Sequence, residues 1–184
     1  MKKILKSAFV FLLVVSVISC SAYITAFAAV PSSGSLGTDV TYSYSDGVLT
    51  ISGTGKTWSY SIGDSPFWSC KDIKEIIIQS GITSIGQHIF SWCNNLTKVF
   101  LPNTLTEIQN GAFYRCDNLT ESTIPKSIKT IGYMNFSYCA NMETIYYMGT
   151  QDELSKVDIS YSEYSDWSKL NVIYHDHTYK STLT

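Results

Sequence analysis

Apolar residues recur along the middle of this chain with a period of 23. FWSCKDIKEIIIQSGITSIGQHI begins at Phe67, FSWCNNLTKVFLPNTLTEIQNGA at Phe90 and FYRCDNLTESTIPKSIKTIGYMN at Phe113. A partial fourth copy, FSYCANMETIYYMG, begins at Phe136. The copies align without a gap. Phe67, Phe90, Phe113 and Phe136 form one column, and Cys70, Cys93, Cys116 and Cys139 a second. Ile73, Leu96, Leu119 and Met142 align, as do Ile78, Leu101, Ile124 and Tyr147. In the second half of the unit Ile82, Leu105 and Ile128 align, then Ile85, Ile108 and Ile131. So many matched columns mean that the chain is an array of one repeated unit.

Each unit opens on a stretch that alternates apolar and polar residues, the signature of a short strand with one buried face. Pro102 and Pro125 close two of these strands, because proline has no N–H for a ladder. The rest of the unit places apolar residues every three to four positions, which predicts a short helical or irregular return. One strand and one return per 20 to 29 residues make a leucine-rich-repeat coil. A single coil cannot bury its apolar edge, whereas stacked coils build a continuous core. The predicted fold is therefore a solenoid of about four 23-residue coils over residues 67–149. The inward strand column reads Ile76, Val99, Ser122, Ile145, so Ser122 marks a local weak point.

Both ends carry cap signals, which a repeat array needs to shield its outer coils. Val40 to Tyr44 and Val48 to Ser52 alternate around Asp46-Gly47, predicting a β-hairpin cap within residues 29–66. Residues 150–175 read as a closing cap. Thr150 and Glu153 have capping-box spacing ahead of a short helix, and Asn171 to His175 is a last strand. Residues 176–184 are a polar tail that reads as the start of a linker into a further module.

The pattern F-x-x-C-x-x-L-x-x-V-x-I-P…I-x-x-I-G-x-x-A-F resembles the BspA-type leucine-rich repeats of bacterial surface proteins. The resemblance is close over residues 67 to about 149. It extends upstream to GTDVTYSYSDGVLTISGTG, similar to the hairpin that often precedes such repeats, and downstream to YYMGTQDELSKV. One departure is Leu36, where such caps often carry a cysteine. The resemblance implies a secreted or wall-attached protein and adhesion to host proteins or other bacteria, with no particular ligand.

The amino terminus agrees with export. A basic MKKILK, an apolar run from Ala8 to Ile18 and a small-x-small site at Ala26-Phe27-Ala28 form a secretory signal peptide over residues 1–28. The alternative processing route is lipidation at Cys20, since Val17-Ile18-Ser19-Cys20 resembles a lipobox. Cleavage after Ala28 leaves 10 basic and 15 acidic residues and no membrane span. That acidic balance gives no electrostatic footprint for nucleic acid. With 45% apolar residues, disorder is excluded too.

Candidate chemistry is thin. Ser52-Gly53-Thr54-Gly55-Lys56-Thr57 ends like a phosphate-binding loop, but Thr50 stands where its first glycine belongs and no helix pattern follows. The cysteine column lacks the paired spacing of a zinc site. Its register with the buried Phe and Leu columns predicts a ladder of buried thiols, and a secreted location leaves disulfides open. His175-Asp176-His177 is too few ligands for a metal, and His88 is isolated. Among carboxylates only the strand column Glu75, Lys98, Glu121, Thr144 sets acids near each other, and a solvated stripe explains it. Asn95-Leu96-Thr97, Asn118-Leu119-Thr120 and Asn135-Phe136-Ser137 match the glycosylation sequon. Neither an enzyme nor a cofactor or metal is expected.

The informative surface is the outward strand column. If Val99 and Leu101 point inward, Phe100 points out, together with its equivalents Ile77, Thr123 and Tyr146. A column this apolar on an exposed sheet predicts a partner surface. The expected role is non-catalytic binding at the cell surface to a host or bacterial protein. The alternatives are a carbohydrate-binding module, suggested by the Tyr and Trp content, and a structural spacer of a larger wall protein.

Overall fold

The computed structural model describes residues 30–160 and 170–175. The signal segment, Cys20 and the tail from residue 176 onwards, with Asp176 and His177, lie outside the described residues.

The chain enters through β1 (Ser33–Ser35), β2 (Val40–Ser45) and β3 (Val48–Gly53), an antiparallel meander. Ser45 pairs with Val48, so only Asp46 and Gly47 form the turn. Both adopt left-handed backbone, φ 52° and 87°. A two-residue hairpin matching the twist of its strands requires this, and an Asp-Gly pair supplies it at little cost.

The hairpin does more than cover the stack: β3 is its first rung. It pairs parallel with β5 (Glu75–Ile78), which pairs with β7 (Lys98–Phe100). β9 (Glu121–Ile124), β11 (Thr144–Tyr147) and β13 (Asn171–Tyr174) continue the same parallel face. Registers such as Ile77 opposite Phe100 and Thr123 opposite Tyr146 follow the spacing of 23.

The return of each coil, expected to be helical or irregular, takes a form of its own. It is a second, shorter strand followed by turns. β4 (Gly55–Lys56), β6 (Ile82–Ile85), β8 (Glu107–Ile108), β10 (Thr130–Ile131) and β12 (Asp158–Ile159) form a five-stranded parallel sheet on another side of the solenoid. Strands stack about 4.8 Å apart whereas helices are about 10 Å wide. A strand on both sides lets coils stack at one spacing. The described helix is α1 (Gln151–Leu154), in the closing segment. Thr150 caps it with a complete capping box: Glu153 N–H donates to Thr150 Oγ1 at 3.2 Å and Thr150 N–H to Glu153 Oε2 at 2.9 Å. Glu153 also meets Lys126 Nζ at 2.7 Å, tying this cap to the third coil.

Between the two sheets lies the core. The rings of Phe67, Phe90, Phe113 and Phe136 stack with centroids 5.8, 5.4 and 5.6 Å apart, and Tyr42 of the hairpin closes the stack edge-on at 5.0 Å. The Ile and Leu columns are buried, except that Leu101 is half-buried just past the end of β7. Cys70, Cys93, Cys116 and Cys139 are free and buried. Three of them donate S–H to a phenylalanine carbonyl of the preceding coil: Cys93 to Phe67, Cys116 to Phe90 and Cys139 to Phe113, at 3.4, 3.4 and 3.2 Å. Burial drives the Cys93 and Cys116 thiols far above the usual thiol range.

One defect interrupts the strand face. β7 ends one sheet and β9 begins another, with no hydrogen-bonded ladder between them. The break coincides with Ser122, which is 2% exposed and whose Oγ has no hydrogen-bond partner. Isoleucine or valine fills the equivalent position in the other coils. A serine there removes the branched side chain that sets the strand's height over the core, and adds a hydroxyl without an acceptor.

Candidate functional site

The strand face carries the predicted column outward. Phe100 is 51% exposed and Thr123 is exposed, while Ile77 and Tyr146 are half-buried. Each is flanked by inward residues of the same strand, as a period of two demands. Cross-strand pairing sets Ile77 beside Phe100 and Thr123 beside Tyr146. It also adds two members that the sequence did not give. Thr50 pairs with Ile77, and Ile173, 38% exposed, pairs with Tyr146. Both sit 27 residues from their neighbours instead of 23, which hides them from a search at fixed period.

The two halves of the column meet at the interrupted ladder. A cleft of about 210 Å³ opens there, lined by Lys98, Val99 and Phe100 on one side and Glu121, Ser122 and Thr123 on the other. Phe100 and Thr123 stand at its mouth. Lys98 also reaches Glu75 on the next strand, 3.8 Å away. Lys98 is exposed and Glu75 half-buried at the surface, so this solvent-screened pair contributes little to stability and serves as a polar border. The column thus has an apolar centre, a charged margin and a cleft where the ladder is interrupted.

The other candidates fall elsewhere. The phosphate-loop lookalike runs from the end of β3 through β4, and β4 is followed by extended chain and turns. His88 is buried at 4% exposure on the far side of the coil, its Nδ1 3.2 Å from Ser91 Oγ, which in turn donates to the Gly111 carbonyl. Burial lowers its pKa from the ordinary 6.5. This is a structural histidine at a corner with left-handed backbone. The third sequon is equally structural, since Asn135 is buried and donates to the carbonyls of Gln109 and Gly132. Among the described residues no group of three or more His, Cys, Asp or Glu could hold a metal. No described helix is long and apolar enough to cross a membrane.

Stacked parallel strands, a phenylalanine column and one cysteine per coil define a leucine-rich-repeat solenoid. The family model of the BspA type leucine rich repeat region matches residues 59–173 in six copies, and the chain belongs to that family. Three solved structures are similar in fold. A leucine-rich repeat protein of T. pallidum shares 23% identity, covering 74% of this chain and 69% of its own, with a TM-score of 0.49. One of Bacteroides capillosus shares 23%, covering 65% of this chain and 100% of its own, at 0.48. One of Eubacterium ventriosum shares 24%, covering 67% and 45%, at 0.42. Comparison with curated proteins gives no match.

Proposed function

We propose that this protein is an exported, non-catalytic binding module of the bacterial cell surface. Its partner is a protein, of a host or of another bacterium. The contact surface is the strand-face column Ile77, Phe100, Thr123 and Tyr146, extended by Thr50 and Ile173. The observation that carries this reading is Phe100, a large apolar side chain left 51% exposed beside an open cleft. Aromatic anchors at the centre of a surface, framed by polar residues, supply most of the affinity of typical interfaces. Family membership supports a binding role in general. Export follows from the segment ending at Ala28, with lipidation at Cys20 as the other route to the surface.

The test is the variant Phe100→Ala/Tyr146→Ala. Its binding to the captured partner should fall at least tenfold while its circular-dichroism spectrum and melt stay close to wild type. Unchanged affinity in a folded double variant would remove this surface from the reading.

A further inference from the structure

A second surface lies at the corner that precedes each cysteine. Ser69, Trp92, Arg115 and Tyr138 occupy the same position in four coils, and all four have left-handed backbone, with φ between 55° and 65°. The core residues beside them, Phe90, Cys93, Phe113, Cys116, Phe136 and Cys139, are buried. This corner therefore sends the phenylalanine and the cysteine in and turns the residue directly before the cysteine towards the surface. The outcome is an aromatic edge running along the solenoid. Trp68, Trp92, Tyr114 and Tyr138 follow one another with ring centroids 5.7, 6.4 and 5.6 Å apart.

Into this edge is set the only arginine of the chain. The Arg115 guanidinium carbon lies 4.5 Å from the Trp92 ring centroid, 4.7 Å from that of Tyr138 and 5.8 Å from that of Tyr114. Its Nε–H donates to the Tyr114 hydroxyl at 3.3 Å. Among the described residues it forms no ion pair, Asp117 included, and no described group accepts from its terminal nitrogens. A guanidinium held between rings has already lost its rotamer freedom and still presents a fork of donors, the arrangement that suits a carboxylate bidentately.

Beyond three of the four corners stand amides, Asn94 and Asn95 after Cys93, Asn118 two residues after Cys116 and Asn141 two after Cys139, while Lys71 and Asp72 follow the first corner and Asp117 follows Cys116 directly. The frame is thus aromatic and amide-rich, with one fixed cation, in a chain of net charge -2. Such a net charge disfavours a polyanion. It suits a ligand with an isolated negative charge, apolar ring faces and many hydroxyls. We propose that the Trp92–Arg115–Tyr138 edge binds an acidic saccharide, the carboxylate of a uronic or sialic acid type sugar meeting Arg115. Trp68, Trp92 and the asparagines contact the rest of the glycan. This goes beyond the protein-binding reading and occupies different residues.

The test is tryptophan fluorescence and calorimetric titration of the full protein. The probes are glucuronosyl-xylotriose and sialyllactose, each with a single carboxylate, compared with maltotetraose and a glutamate-rich peptide. Saturable binding of at least one acidic sugar is expected, with none of maltotetraose. Arg115→Gln should weaken it at least tenfold, and so should Arg115→Lys, which keeps the charge and loses the fork. Phe100→Ala/Tyr146→Ala should leave it unchanged, which separates this site from the strand face. Silence with both acidic sugars, equal binding of maltotetraose, or full affinity in folded Arg115→Gln would overturn the proposal. Tighter binding of the peptide than of either sugar would overturn it in favour of an acidic protein segment.

Discussion

Replacing Ser122 with valine should stabilise the protein by about 2 kcal/mol. The side chain is buried, and its hydroxyl lacks a partner in a column otherwise filled by Ile76, Val99 and Ile145. An unpaired buried hydroxyl costs roughly 1–3 kcal/mol. Valine removes that cost and buries about two more carbon groups, each worth about 0.8 kcal/mol. Against this stands strain from the added volume, typically about 1 kcal/mol or more in a full core. The cleft between β7 and β9 leaves room for adjustment, so the gain should survive. For a chain of this size about 2 kcal/mol raises Tm by roughly 4–8 °C. Calorimetry or urea unfolding measures it. Ser122→Ala, which removes only the hydroxyl, should give a smaller gain of about 1 kcal/mol. A Ser122→Val protein that melts at or below the wild-type temperature would refute both the unpaired hydroxyl and the underfilled column.

Other consequences are more local. Phe113→Ala should cost about 3–5 kcal/mol, because its ring stacks on Phe90 and Phe136 and cannot be replaced by relaxation from both sides; urea unfolding reads this, and a loss below 1 kcal/mol would contradict the stacked core. His88 is held neutral by burial, so its folded pKa lies below the unfolded 6.5, and the stability it confers is complete above pH 6.5 and lost as pH falls through the folded value. His88→Asn, which tolerates the left-handed φ, should flatten that slope in melts taken from pH 7.5 downward. Glu153 is lowered from 4.5 to about 2, chiefly by its bond to Lys126, so the closing cap should loosen between pH 4.5 and 2, and Glu153→Gln should remove that transition from hydrogen exchange at residues 150–154. The four repeat cysteines should resist maleimide in the native state and react on unfolding; fast native labelling would contradict their burial.

The repeat was legible because its cause is local. A coil must present Phe, Cys, Leu and Ile at fixed steps to a shared core, so a spacing of 23 writes the architecture directly into the chain. The hairpin was equally plain, since Asp46-Gly47 is a turn that few other residues make. The second sheet was less plain. Ile82 and Ile85 recur at a spacing that a helix also satisfies, and only stacking against β8 decides between the two. The roles of Thr50 and Ile173 required the register of β3 and β13, which two longer connections displace from the period. Ser122 could be seen as an exception in its column, but the cleft above it depends on how β7 and β9 sit against each other. The aromatic edge escaped notice because its members alternate between two adjacent positions, Trp68 and Tyr114 in one, Trp92 and Tyr138 in the other. A left-handed corner merges these positions into one surface.

The most direct measurement is surface-plasmon binding of the purified protein to immobilised host-matrix proteins and to whole bacterial cells. Wild type, Phe100→Ala/Tyr146→Ala and a control variant at exposed Lys129, the residue before β10, Lys129→Ala, should be run in parallel. A saturable protein partner held by wild type and Lys129→Ala, and lost by the double strand-face variant, is the predicted result. A partner retained by the double variant, or no saturable protein target at all, would contradict it.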